Sequence, residues 1–151
     1  MTTTKPNTSV DAHALLGAWR LAEFYIESSD GNQIHPFGVS PEGMLIYTDT
    51  GNMSAQLMAS NRPLFADDDQ LNGSADEIEA SFKKCVAYFG QYEVDVEGGF
   101  VVHHVQQSLF PNWNGKPQKR FVQLHNNQLR ITTPPVTWGG VEKVAVLVWE
   151  R

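Results

Sequence analysis

From Gln91 to Arg151 the chain is a succession of strand-length segments parted by turn-forming clusters. Gln91–Val96 and Phe100–Phe110 flank Glu97-Gly98-Gly99, and Gln118–Leu124 and Gln128–Thr132 flank Asn126-Asn127. Glu142–Arg151 closes the series after a loop at 133–140 that carries Pro134, Pro135 and Trp138. Short hairpin turns of this kind enforce antiparallel, up-and-down order. Upstream lie three more strands, Ala18–Ser28, Met44–Thr48 and Met53–Ala59. Ser29-Asp30-Gly31-Asn32 and Asp49-Thr50-Gly51-Asn52 supply turns, and His35-Pro36-Phe37-Gly38 reads as loop. Eight strands suffice to roll a sheet into a barrel just wide enough for side chains or one small ligand. Closure also removes the exposed edges that a long open meander would have to protect.

The remaining segments are less regular. Residues 1–8 read as a disordered tail, and 9–151 as one domain. Ser9 to Leu16 predicts one or two helical turns, stopped by Gly17. Residues 60–73 form a loop, and Asp67-Asp68-Asp69 within it lacks the spacing of a calcium loop. Ser74 with Glu77 makes a capping box for a helix over 74–89, whose stripe is Ile78, Phe82, Cys85, Val86 and Phe89. Gly90 would stop that helix, and the stripe would pack across the barrel. The expected fold is therefore all-β: an eight-stranded antiparallel up-and-down barrel with one amphipathic helix at about 74–89.

Composition narrows the function. Hydrophobic residues make up 41% and charged residues 19%, which marks a globular chain. A net charge of -6 argues against nucleic acid and anionic membrane as partners. No apolar leader or spanning segment is visible, and the single Cys85 excludes an internal disulfide, so a cytoplasmic setting is expected. There is no phosphate-binding glycine loop, no zinc-ligand spacing and no nucleophile elbow, so no cofactor and no metal are expected.

Gly17-Ala18-Trp19 resembles the Gly-x-Trp signature of lipocalins. In that superfamily an arginine on the last strand stacks over the tryptophan, and Arg151 is the residue here that would do so. The ordered set Pro41–Tyr47, Gly51–Met58, Tyr88–Tyr92, Val102–Val105, Pro111–Trp113 and Leu147–Arg151 resembles the lipocalin-like domain family of bacteria and fungi. The resemblance implies a small barrel with a cavity and names no reaction.

The chemistry-bearing stretch is Phe100–Phe110, where polar residues fall on both faces. Neighbours on a strand point to opposite sides, so His103 and His104 cannot both face inward or grip one metal together. Grouping the polar residues places His104 inside with Gln106 and Ser108, while the alternation of Val101, Val105 and Leu109 would favour His103. Tyr92 and Arg120 are expected inside on their own strands. His104 or His103, with Arg120 and Tyr92, are the candidates for acid–base chemistry with oxyanion support. Tyr47, Gln56, Met53, Tyr88, Gln106, Trp113 and Trp138 are the candidate ligand contacts, the two tryptophans as lids over the barrel mouth. The preferred reading is a protein that binds a small hydrophobic or aromatic molecule. The alternative is a cofactor-independent isomerase, cyclase or lyase, and a third is a homodimeric interaction module.

Overall fold

Each tight turn expected from Asn, Asp and Gly joins two paired strands in the structure, a computed structural model that describes residues 10–151. In chain order, a 3₁₀ turn at His13–Leu15 precedes β1 (Gly17–Glu27), β2 (Gln33–Ile34), β3 (Glu42–Tyr47) and β4 (Asn52–Met58). Helix α1 (Ala75–Phe82) follows, then β5 (Cys85–Asp95) and β6 (Phe100–Ser108). A second 3₁₀ turn at Pro111–Trp113 leads to β7 (Pro117–His125), β8 (Gln128–Thr132), β9 (Val136–Trp138) and β10 (Val141–Glu150). The expected tail over 1–8 and the cap Ser9 lie outside the described residues.

The strands form one antiparallel sheet in the order β2-β1-β3-β4-β5-β6-β7-β8-β10-β9, and β1 also pairs with β10. That last pairing, from Arg20 with Glu150 to Glu27 with Val144, closes an eight-stranded barrel, with β2 and β9 as short flanking pieces. The hairpins at 48–51, 96–99 and 125–127 lie at one end of the barrel. The long connections 28–41, 59–84, 109–116 and 133–140 lie at the other.

A continuous cluster of buried side chains occupies the lumen: Trp19, Leu45, Tyr47, Val101, Leu129 and Trp149 are among its most deeply buried members. Strand β1 reaches it through a bulge between Leu21 and Glu23. The extra residue shifts the alternation, so Phe24 and Ile26 join Trp19 and Leu21 in the cluster. Tyr25, which an unbroken two-residue period would put on the face of Trp19, is turned instead against His35, with ring centroids 5.9 Å apart.

The helix is the main departure from expectation. Its start is as predicted: Ser74 accepts from the Glu77 amide, and the Glu77 carboxylate accepts from the Ser74 amide. It ends at Phe82, however, and Cys85 to Phe89 belong to β5. This segment, with β-branched Val86 and aromatic Tyr88 and Phe89, pairs with β4 on one side, and Tyr88 and Phe89 also with β6 on the other, so ladder hydrogen bonds outweigh a helical stripe. No helix residue is buried, so the stripe does not pack across the barrel as expected. Gly90 is no helix stop either. It sits just after a bulge in β5, and a Cβ there would collide with the backbone carbonyl oxygen of His104.

A polar cluster inside the barrel

Within this apolar lumen one group of polar side chains is held together. Tyr47 ends β3, Tyr88 lies early in β5, and His103 lies in β6; alternation turns all three inward. The His103 ring is 1% exposed and sits between the two phenols. Its Nε2 is 2.7 Å from the Tyr47 hydroxyl and its Nδ1 is 2.8 Å from the Tyr88 hydroxyl. Tyr92 packs its ring on Tyr47, with centroids 4.7 Å apart, and donates its hydroxyl to the Thr48 carbonyl.

Arg120, from β7, is 6% exposed. Its guanidinium donates to the carbonyl of Lys119 at 2.9 Å and reaches the Gln118 side chain at 3.5 Å. Both partners are neutral. Among the described residues no carboxylate lies within ion-pairing distance of it. Trp113, in the loop between β6 and β7, lies 5.9 Å from the guanidinium and edge-on to Tyr88 at 5.6 Å. It therefore covers the cluster from the end of the barrel that carries the long loops.

The electrostatics follow from this burial. Removal from water holds His103 well below its ordinary value of 6.5, and the charges of Arg120 and His104 add to that. Burial likewise pushes the phenols of Tyr47 and Tyr88 up, with Arg120 pulling in the other direction. The cluster thus carries a neutral imidazole, two neutral phenols and one fixed cation. The indole Nε1 of Trp149, in the same core, is buried and has no acceptor.

The opposite end of the barrel is closed by Trp19 and Arg151. The guanidinium lies 4.1 Å from the Trp19 ring and donates to the carbonyls of Leu16 at 2.6 Å and Ala14 at 2.8 Å. Trp19 is fully buried and donates its indole N–H to Leu15 at 2.9 Å. Gly17 takes φ +110° between them, and a Cβ there would meet the Arg151 guanidinium at 3.6 Å. The stacked pair expected from Gly-x-Trp is present.

The lipocalin-like domain profile matches residues 16–151, from the turn before Gly17-Ala18-Trp19 to Arg151. The chain belongs to the lipocalin-like domain family. This lipocalin-like protein is 30% identical over 106 residues to the 4'-hydroxy-3'-methoxypropiophenone carrier protein ppsC of Aspergillus oryzae, an alignment that spans 66% of this chain and 96% of the fungal one. A solved structure of a redesigned beta barrel aligns over 93% of both chains at 10% identity, with a TM-score of 0.44.

Of the expected site residues of this lipocalin-like barrel, the structure brings Tyr47, Tyr88, His103 and Arg120 together, with Tyr92 beside Tyr47 and Trp113 above. Met53 is buried in the same core. Trp138 stands at the long-loop end, edge-on to Phe24 at 6.2 Å, away from the cluster's hydrogen bonds. Four residues depart from expectation. His104 faces outward and pairs with Glu93 at 3.1 Å. Gln106 and Gln56 are exposed on the outer face, and Ser108 is only half-buried. The apolar alternation Val101–His103–Val105 sets the face of β6, because burying two valines outweighs gathering polar groups that water satisfies outside. Trp149 is a core residue not among the expected site residues; its place on the last strand, two residues from Leu147 by the strand period, is the signal for an inward indole. Cys85 is half-buried at the start of β5, and burial raises its thiol.

Proposed function

We propose that the protein binds a small hydrophobic or aromatic molecule in the barrel lumen, with Tyr47, Tyr88, His103 and Arg120 as its polar anchor and Trp113 as the ring that yields to admit it. The observation that carries this reading is a cationic, hydrogen-bonding cluster set in an otherwise apolar interior. Apolar walls with a few convergent polar groups are what small-molecule sites are made of. The cargo of the Aspergillus relative, a hydroxylated and methoxylated propiophenone, is a molecule of this kind. Because side chains occupy the lumen, entry requires movement of the rings at the long-loop end, Trp113 and Trp138 first.

Binding is favoured over catalysis by the state of His103. Both of its ring nitrogens are engaged by tyrosines, so no free lone pair remains for a general base. The test is native mass spectrometry and thermal unfolding with a panel of phenols and aryl ketones. A ligand at about a hundred times its dissociation constant should stabilise the fold by about 2.7 kcal/mol. A bound molecule at one per chain, an altered affinity in His103→Gln and no turnover support a carrier. Turnover that His103→Gln abolishes while binding persists would establish the isomerase, cyclase or lyase reading instead. No mass shift and no stabilisation with any of the panel would overturn both.

A further inference from the structure

The barrel interior leaves hydrogen-bond donors without an acceptor. Tyr47, Tyr88 and neutral His103 bring three polar protons, and the two contacts among them use two. Whichever tautomer His103 adopts, one phenol donates to its bare nitrogen and the other accepts from its N–H, so the accepting phenol keeps one proton over. The Trp149 indole N–H is a second donor without an acceptor. Arg120 adds a buried cation whose partners among the described residues, a backbone carbonyl, an amide and the Tyr88 hydroxyl, are all neutral. A buried charge of this kind is costly unless a counter-charge reaches it. No described carboxylate does so.

We infer that the ligand carries an anionic organic oxygen, a phenolate, enolate or carboxylate on a hydrophobic or aromatic frame, which Arg120 neutralises and the spare phenol proton of the Tyr47–His103–Tyr88 cluster hydrogen-bonds. This inference rests on the binding reading above and sharpens it: the site selects for an ionised oxygen rather than for apolar bulk alone. Guanidinium and phenol donors suit such an oxygen, and aromatic walls at Tyr92 and Trp113 suit the frame that bears it. Tyr47 and Tyr88 cannot themselves supply the negative charge, since burial keeps both phenols protonated.

The probes are 4-nitrophenol and its methyl ether, 4-nitroanisole, which share a frame and differ in the ionisable oxygen. Binding is followed by quenching of tryptophan fluorescence, and ionisation of bound nitrophenol by its own absorption spectrum. The wild-type protein should bind nitrophenol at least about tenfold more tightly than nitroanisole and lower the pKa of the bound phenol by about one unit or more. Arg120→Met should remove the shift, and Arg120→Lys should keep part of it. Equal binding of the two probes with an unshifted pKa would overturn the inference and leave the carrier reading standing. Binding of neither would overturn it too, while the carrier reading is still decided by the phenol and ketone panel. The wild-type comparison is decisive even where the Arg120→Met protein does not fold.

Discussion

Acidification should destabilise the protein through His103. In the unfolded chain this imidazole takes up a proton near its ordinary value of 6.5, whereas in the barrel burial, then Arg120, then His104 oppose protonation. Below 6.5 the unfolded state therefore binds more protons than the folded one, and stability falls as pH falls. The loss begins at the unfolded value and stops growing once the depressed folded value is passed. Above 6.5 the contribution is complete and flat. Inside the window each pH unit removes up to about 1.4 kcal/mol, against a total stability of order 5–15 kcal/mol for a domain. The assay is urea unfolding across a pH series for the wild type and for His103→Gln, whose amide still offers a donor and an acceptor to Tyr47 and Tyr88 but does not titrate. The wild-type midpoint should drop below pH 6.5 more steeply than that of the variant, and the two slopes should converge above it. Parallel profiles would refute the reasoning, as would an NMR titration showing the folded His103 ring protonating near its ordinary value.

Two further perturbations test the frame that holds the cluster. Arg151→Ala removes a cation over Trp19 and two charge-assisted hydrogen bonds to Leu16 and Ala14; at a partly wet site these should cost about 2–3 kcal/mol together, read as a fall of several degrees in the melting temperature, with Arg151→Lys intermediate. Gly90→Ala drives a methyl into the His104 carbonyl across the β5–β6 pair, so it should cost about 1–3 kcal/mol and disturb the spacing of Tyr88 and His103, seen as reduced folded yield and weaker ligand retention.

The barrel was legible because its signals are local. Asp49-Thr50-Gly51-Asn52 and Asn126-Asn127 need particular backbone geometry, met by Gly51 at φ +86° and Asn126 at φ 54°, and they fix where strands turn. Arg120 was placed correctly because Val122 and Leu124 share its period on β7. The end of α1 was not legible. Cys85 to Phe89 satisfies a helical stripe as well as a strand, and only the partners β4 and β6 select between them. The face of Tyr25 is not legible for a related reason, since the bulge at Leu21/Glu23 depends on the β10 register.

What the sequence by itself determined is the number of barrel strands and the order of the turns, which follow from residue type and spacing along the chain; the Trp19–Arg151 floor is what the resemblance to lipocalins implies. Only the tertiary structure decided which of two adjacent histidines enters the lumen. His103 and His104 are equivalent in isolation; the choice between them is made by the summed burial of Val101 and Val105 against the rest of the barrel, a non-local quantity. The same holds for the cluster itself. Tyr47 and His103 are 56 residues apart in the chain and 2.7 Å apart in space, and a hydrogen bond across that separation exists only once the sheet has rolled shut.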